Sequence, residues 1–234
     1  MLYWNAAGLR RRMPFLRHLL LEHAVDIALI NESHLLPSHS ATIPGYHLLR
    51  LDATADNAFR GLLVAVRRSV VHHQLPALDT QSLQALGVEA HTGARAIRAF
   101  AVYRPGSQSL RVREIHGLLD STTPTMAAGD WNAKHPAWNC LSMCSTGRRI
   151  FEDAARHGYE VSGPEEPTHF PNVANYSPST IDIVLHRGLD DLCLETLPDA
   201  YGSDHLPVLV TLTGRLTLAR APPASTSAQP RALP

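Results

Sequence analysis

Met126-Ala127-Ala128-Gly129-Asp130-Trp131-Asn132-Ala133-Lys134-His135 is the stretch from which the fold can be read. A run of small apolar residues ends at a glycine, and a carboxylate and a carboxamide then follow two positions apart. The apolar run has the length of a buried strand. On an extended backbone the two-residue spacing puts Asp130 and Asn132 on one side, and the glycine permits close approach of the main chain to a ligand. A carboxylate that can take a proton, beside an amide that can donate to an oxyanion, suits hydrolysis of an anionic ester. Asp and Asn also favour turns in their own right, so the stretch gains meaning from polar residues that close other strands.

Working outward, Ala96 to Tyr103 reads as a strand ending at Tyr103-Arg104-Pro105-Gly106, and Leu110, Ile115, Leu118 and Leu119 mark a helix after it. Further upstream are strands at Leu83 to Ala90, Gly61 to Val66 and Asp26 to Ile30, the last followed by Asn31-Glu32-Ser33. The chain opens with a short strand, Met1 to Trp4, closed by Asn5-Ala6-Ala7-Gly8. Between these, Phe15, Leu16, Leu19, Leu20 and Ala24 recur at helical spacing behind Pro14, which suits a first helical turn. Downstream, Thr146 caps a third helix running to about His157, with Ile150, Phe151, Ala154 and Ala155 on its inner face. Residues 167–179 are rich in turn formers and predict a hairpin or exposed loop.

Thr180 to Leu185 is a strong strand with one anomaly, Asp182 among apolar neighbours. A buried unpaired carboxylate costs several kcal/mol, roughly, so a donor is required. The candidate lies in Ser203-Asp204-His205-Leu206-Pro207-Val208, before the last strand, Val208 to Leu212. Many short strands and three helices predict an α/β fold of two packed sheets with helices outside.

The chain has 234 residues, which fits one domain over 1–214 followed by a Pro-, Ala- and Ser-rich linker-like tail, 215–234. With 44% apolar and 18% charged residues it can bury a core. The formal net charge is +0, so any nucleic-acid contact must come from local patches such as Arg10-Arg11-Arg12, Arg67-Arg68 and Arg148-Arg149. Cys140, Cys144 and Cys193 form no paired motif, which predicts reduced thiols and an intracellular protein. No apolar run approaches the roughly 20 residues of a membrane span. No signal-peptide layout precedes the first strand, and an opening directly on a site-bearing strand predicts a domain of a longer protein.

Collected, the polar strand ends are Asn5, Glu32, Tyr103, Asp130 with Asn132, Asp182, and Asp204 with His205. With the blocks W-N-A-A-G, I-N-E-S, V-Y-R-P, G-D-W-N-A-K-H, S-T-I-D-I-V and S-D-H-L-P-V in this order, the chain resembles the endonuclease/exonuclease/phosphatase superfamily, which includes AP endonucleases and deoxyribonuclease I. Within it, G-D-W-N-A-K-H-P-x-W and S-T-I-D-I-V-L resemble the AP-endonuclease-like endonuclease domain of non-LTR (LINE-type) retrotransposons. The resemblance implies a four-layered αββα sandwich of two mixed sheets. It implies a Mg²⁺-dependent endonuclease, with Mn²⁺ able to substitute, that nicks double-stranded DNA to a 3′-hydroxyl and primes reverse transcription in the nucleus. A reverse-transcriptase domain would follow in the same polypeptide.

By the same resemblance Glu32, Asp204 and Asn5 are metal ligands, Glu32 the principal one, and Asn5 is also counted in the catalytic set. Asp130 orients or deprotonates water, Asn132, Tyr103 and His205 donate to phosphate oxygens, and Asp182 holds His205. Asn172, Asn175, Tyr176 and Ser179 would probe DNA from the loop before Asp182, with Arg104 as a further contact. The alternatives are a cellular AP endonuclease, a phosphoesterase acting on inositol phosphates or sphingomyelin, and a silent DNA-binding domain.

Overall fold

The structure is a computed structural model and describes residues 1–54, 56–57, 59–92, 95–171 and 177–212. The linker-like tail therefore lies outside the described residues. One sheet holds β1 (Leu2–Asn5), β2 (Ile27–Asn31), β3 (Tyr46–Leu51), β4 (Leu62–Arg67), β12 (Leu192–Thr196) and β13 (Val208–Leu212), in the order β12-β13-β1-β2-β4-β3. The other holds β5 (Val71–Gln74), β7 (Gln84–Thr92), β8 (Arg95–Tyr103), β9 (Thr125–Asp130), β10 (Glu160–Ser162) and β11 (Asp182–Arg187), in the order β10-β11-β9-β8-β7-β5, with β6 (Leu78–Asp79) paired to β7. Both sheets are mixed: β1 runs parallel to β2 and β8 parallel to β9, while the other pairs are antiparallel.

Period-two alternation along each strand builds the layers. Leu2 and Trp4 of β1, with Ala28 and Ile30 of β2, pack outward against Leu9, Leu16, Leu19 and Leu20 of helix α1 (Leu9–Glu22). The intervening Tyr3 and Leu29 point the other way and meet Ala99, Ala101, Met126, Ala128 and Val184 of the second sheet. On the far side of that sheet, Phe100, Val102, Ala127, Ile183 and Leu185 pack on Ile115, Leu118 and Leu119 of α2 (Val112–Leu119) and Ile150 and Ala154 of α3 (Ser145–His157). The result is the expected αββα sandwich.

Gly129 shows how tightly the second sheet is built. A Cβ there would lie 1.8 Å from the Val102 carbonyl oxygen of the neighbouring strand. The glycine thus makes room for β8, not for a ligand as its position had suggested. Helix α1 begins earlier than its periodicity indicates, and Pro14 lies inside it, where it lacks the N–H that would bond the Arg10 carbonyl. Phe15 and Phe151, expected inside, are 43% and 46% exposed, and Ala24 and Ala155 also face solvent. Phe15 instead packs on the Tyr201 ring and Phe151 on the His135 ring. The cap of α3 is Cys144, whose Sγ accepts from the Gly147 amide, not Thr146. Among the described residues, no helix is long and apolar enough to cross a membrane.

Candidate active site

The parity that sorts apolar residues also aims the polar ones. Tyr3 and Asn5 on β1, Asn31 on β2, Asp130 on β9 and Asp182 on β11 continue the face between the sheets to one end of the sandwich, where apolar packing gives way to a polar cluster. Parallel pairing of β1 with β2 sets Asn5 opposite Asn31, and antiparallel pairing of β11 with β9 sets Asp182 opposite Asp130. On the parallel side Tyr103 is the register partner of Asp130. Glu32 follows β2 with φ 45°. Its main-chain oxygen and that of Ser33 accept the Gly8 and Leu9 amides that open α1, which fixes this carboxylate beside β1.

The amide nitrogen of Asn5 bridges two acids, donating to Glu32 Oε1 at 3.1 Å and to Asp130 Oδ2 at 3.2 Å. Its oxygen accepts the Ala7 amide at 3.1 Å. In this arrangement Asn5 organises the carboxylates and does not turn an oxygen toward them, unlike the ligand role expected of it. Tyr103 hydrogen-bonds Glu32 through its hydroxyl, which burial and the nearby Glu32 and Asp130 keep protonated.

Asp182 has its donor. His205 Nδ1 lies 2.7 Å from Oδ2, and the Tyr3 hydroxyl donates to Oδ1 at 2.8 Å. Nε2 of His205 faces Asp130, 3.9 Å from Oδ2. The loop bearing His205 is tied to β1 at two points: Trp4 Nε1 donates to the His205 carbonyl and Ser203 Oγ to that of Asn5. Burial alone would lower the His205 pKa, but Asp182, Asp130 and Asp204 outweigh it and hold the ring protonated, up to about 10. Asp130 is pushed up to about 7 by burial, with Asp182 and Glu32 adding to the rise and His205 opposing it. Asp204 stands outside this group and is held down at about 2, chiefly by its hydrogen bond to His169.

Asn132 comes to the site by a turn, not along a strand. β9 ends at Asp130, Asn132 has φ 45°, and its main-chain N–H donates to Asp130 Oδ1 at 2.9 Å. Its amide nitrogen bonds the Arg104 carbonyl at 3.0 Å. Arg104, expected on DNA, is 1% exposed, and its guanidinium donates to the carbonyls of Trp131, Pro105, Gln108 and Asn132. It holds together the two loops that carry Tyr103 and Asn132. Ser179 is likewise buried, in a bridge to His169, which also bridges His205. Asn172, Asn175 and Tyr176 lie outside the described residues. Of the three arginines at the start of α1, Arg12 is occupied with the Ala7, Gly8 and Tyr201 carbonyls, while Arg10 and Arg11 are exposed.

Tyr3 and Asn31 belong to the site although their residue types did not point to it. Asn31 Nδ2 donates to the Tyr3 hydroxyl at 3.2 Å and also to the Val102 carbonyl of the other sheet. Tyr3 stands two residues before Asn5, so strand alternation alone assigns it the same face.

The donor set suits a hard divalent cation. Glu32, Asp130 and Asp182 place three carboxylates against one imidazole, an excess of negative charge among oxygen donors that fits Mg²⁺ or Mn²⁺. Glu32 and Asp130, joined at the Asn5 amide, and Asp204 on its border are the residues available to hold it.

Residues 97–209 match the family model for endonuclease-reverse transcriptase. Over 212 residues the chain is 30% identical to the RNA-directed DNA polymerase from mobile element jockey of Drosophila melanogaster, an alignment covering 89% of this chain and 23% of that protein. It is 27% identical to a probable RNA-directed DNA polymerase from transposon BS of the same organism, covering 90% of this chain and 24% of the relative. The chain thus spans about a quarter of the curated relatives it matches. Among solved structures, the endonuclease domain of TRAS1, a telomere-specific non-LTR retrotransposon, superposes with TM-score 0.74 at 17% identity, covering 90% of this chain and 96% of that one. An AP endonuclease from Archaeoglobus fulgidus gives TM-score 0.62 at 16% identity, covering 90% and 98%. By matched segment and fold, the chain is similar to the endonuclease/exonuclease/phosphatase superfamily and, within it, to the AP-endonuclease-like endonuclease domains of non-LTR retrotransposons.

Proposed function

We propose that this chain is a Mg²⁺-dependent endonuclease that nicks double-stranded DNA by phosphodiester hydrolysis, leaving the 3′-hydroxyl from which a reverse transcriptase in the same polypeptide primes synthesis on nuclear DNA. The observation that carries the reading is the pairing of Asp182 with His205 at 2.7 Å, with the opposite ring nitrogen turned toward Asp130. An imidazole held by a buried acid keeps its orientation and its charge, and presents an N–H where negative charge builds on a phosphate oxygen.

Asp130 accepts a proton from the attacking water. Its burial makes it a better base than an exposed aspartate, and the Asn132 amide fixes its second oxygen. Tyr103 donates from the Glu32 side and Asn132 from the Arg104 side. When bound among Glu32, Asp130 and Asp204, Mg²⁺ would supply Lewis acidity toward the phosphate and charge for the leaving oxygen. Target choice is assigned to the segment between His169 and Ser179, since the bridges of His169 to Ser179 and to His205 root it at the site.

The test is nicking of supercoiled plasmid with Mg²⁺, beside EDTA and His205→Ala controls, with nick ends mapped. Metal-dependent open circles carrying 3′-hydroxyls, lost in the variant, are expected. Folded protein that leaves plasmid and retrotransposon target DNA intact but cuts abasic DNA or hydrolyses phosphoinositides would overturn the reading in favour of those substrates.

A further inference from the structure

Away from the site, α2 and α3 cross over the second sheet with three groups converging between them. Asp153 and His157 lie four residues apart on one face of α3, and His116 comes from the last turn of α2. His116 Nε2 is 2.9 Å from Asp153 Oδ2 and His157 Nδ1 is 3.1 Å from Oδ1, so each carboxylate oxygen faces a different ring nitrogen. All three donor atoms lie within 4.8 Å of one another. None of these residues takes part in the chemistry above.

We propose that His116, Asp153 and His157 form a second metal site, for Zn²⁺ or a similar borderline transition ion, that clamps α2 to α3. Two imidazoles and one carboxylate are a nitrogen-rich set that favours Zn²⁺ over Mg²⁺. Around a tetrahedral ion with bonds near 2.05 Å, neighbouring donor atoms stand about 3.3 Å apart. The 2.9 Å between His116 Nε2 and Asp153 Oδ2 opens to that value with a small side-chain movement, and one donor atom from each of the three residues already lies within 4.8 Å of the other two. Tyr159 supplies the outer support such sites use: its hydroxyl donates to Asp153 Oδ2 at 2.9 Å and fixes the carboxylate. The Asp153 side chain is 6% exposed while those of His116 and His157 are 28% and 43% exposed, so the acid forms the floor and the rings an open rim. The rim admits the ion and leaves a coordination position for water.

Full-length chain without an affinity tag is dialysed against Zn²⁺ in excess Mg²⁺, which keeps the oxygen-rich site filled, and its metal content and thermal unfolding are measured beside His116→Gln/His157→Gln. Wild type should retain one more equivalent of Zn²⁺ than the double variant and give Co²⁺ the visible absorption of a four- or five-coordinate nitrogen-bound ion. At a hundredfold excess over the Kd its Tm should rise by roughly 5–10 °C, a gain absent from the variant. Nicking with Mg²⁺ alone should be unchanged. His157→Gln alone, at the most exposed of the three positions, serves if the double variant fails its circular-dichroism check. Equal Zn²⁺ content and equal Tm response in folded wild type and folded variants would overturn the proposal.

Discussion

Replacing Tyr3 by Phe removes one oxygen and leaves the ring in its packing. That oxygen is the donor to Asp182 Oδ1 at 2.8 Å, and the side chain of Asp182 is fully buried. Burial and the nearby acids raise the Tyr3 pKa well above its usual range, so the hydroxyl stays protonated and donates at every working pH. Asn31 loses one acceptor but keeps the Val102 carbonyl. A hydrogen bond to a charged group contributes about 1.5–3 kcal/mol. For a domain of this size each kcal/mol moves Tm by roughly 2–4 °C, so the variant should melt about 3–12 °C lower. If that energy also serves to hold His205 in the transition state, kcat falls roughly 10- to 100-fold. KM should move little, because Tyr3 is buried and has no face toward DNA. The assay is steady-state nicking with unfolding measured in parallel. A variant that melts with wild type and turns over at the wild-type rate would refute the role given to this hydroxyl.

Protonation supplies a second prediction. His205 is raised from 6.5 to about 10, so its stabilising contribution is fully present below 6.5 and is lost as pH rises toward 10. The stability advantage of the metal-free wild type over His205→Gln, read from urea midpoints, should therefore shrink across that interval. Asp130, raised to about 7, must lose its proton to act as a base while His205 must keep its own, which gives a bell-shaped rate profile. A bound cation moves the acid limb to lower pH, and a rate that falls steadily from pH 5 to 9 would contradict the assignment. Asn132→Ala should slow nicking on the order of 10², and a loss below about threefold, small beside that range, would remove it from the oxyanion donors. Arg104→Met strips four carbonyls of a buried partner. It should lower Tm and slow turnover without changing the salt dependence of DNA binding, whereas a weaker salt dependence would mark Arg104 as a phosphate contact.

The sequence discloses the parts of this site that depend on strand parity and on the cost of burying charge. Asp182 is the clearest case: a carboxylate in an apolar strand demanded a donor, and His205 is there. What it conceals is set by tertiary pairing. β3, β5, β6, β10 and β12 are strands because a neighbour bonds them, and their own residues are too short or too mixed in exposure to show a period. Arg104 looks like a surface cation until the loop carbonyls around it are placed. The approach of Asn132 through a turn follows from its left-handed φ, which an Asn permits but does not announce.

The bonds that make the site cross between the sheets, Asn5 to Asp130, Tyr3 to Asp182 and Asn31 to Val102, with His205 reaching Asp182 from the loop before the last strand. Neither sheet owns a working half. A chain that has formed one sheet, or has formed both without docking them, carries all the reactive residues and none of the chemistry. Under the proposed function, competence to cut requires both sheets to be docked, so a variant that loosens the packing between them should lose nicking before it loses its strands.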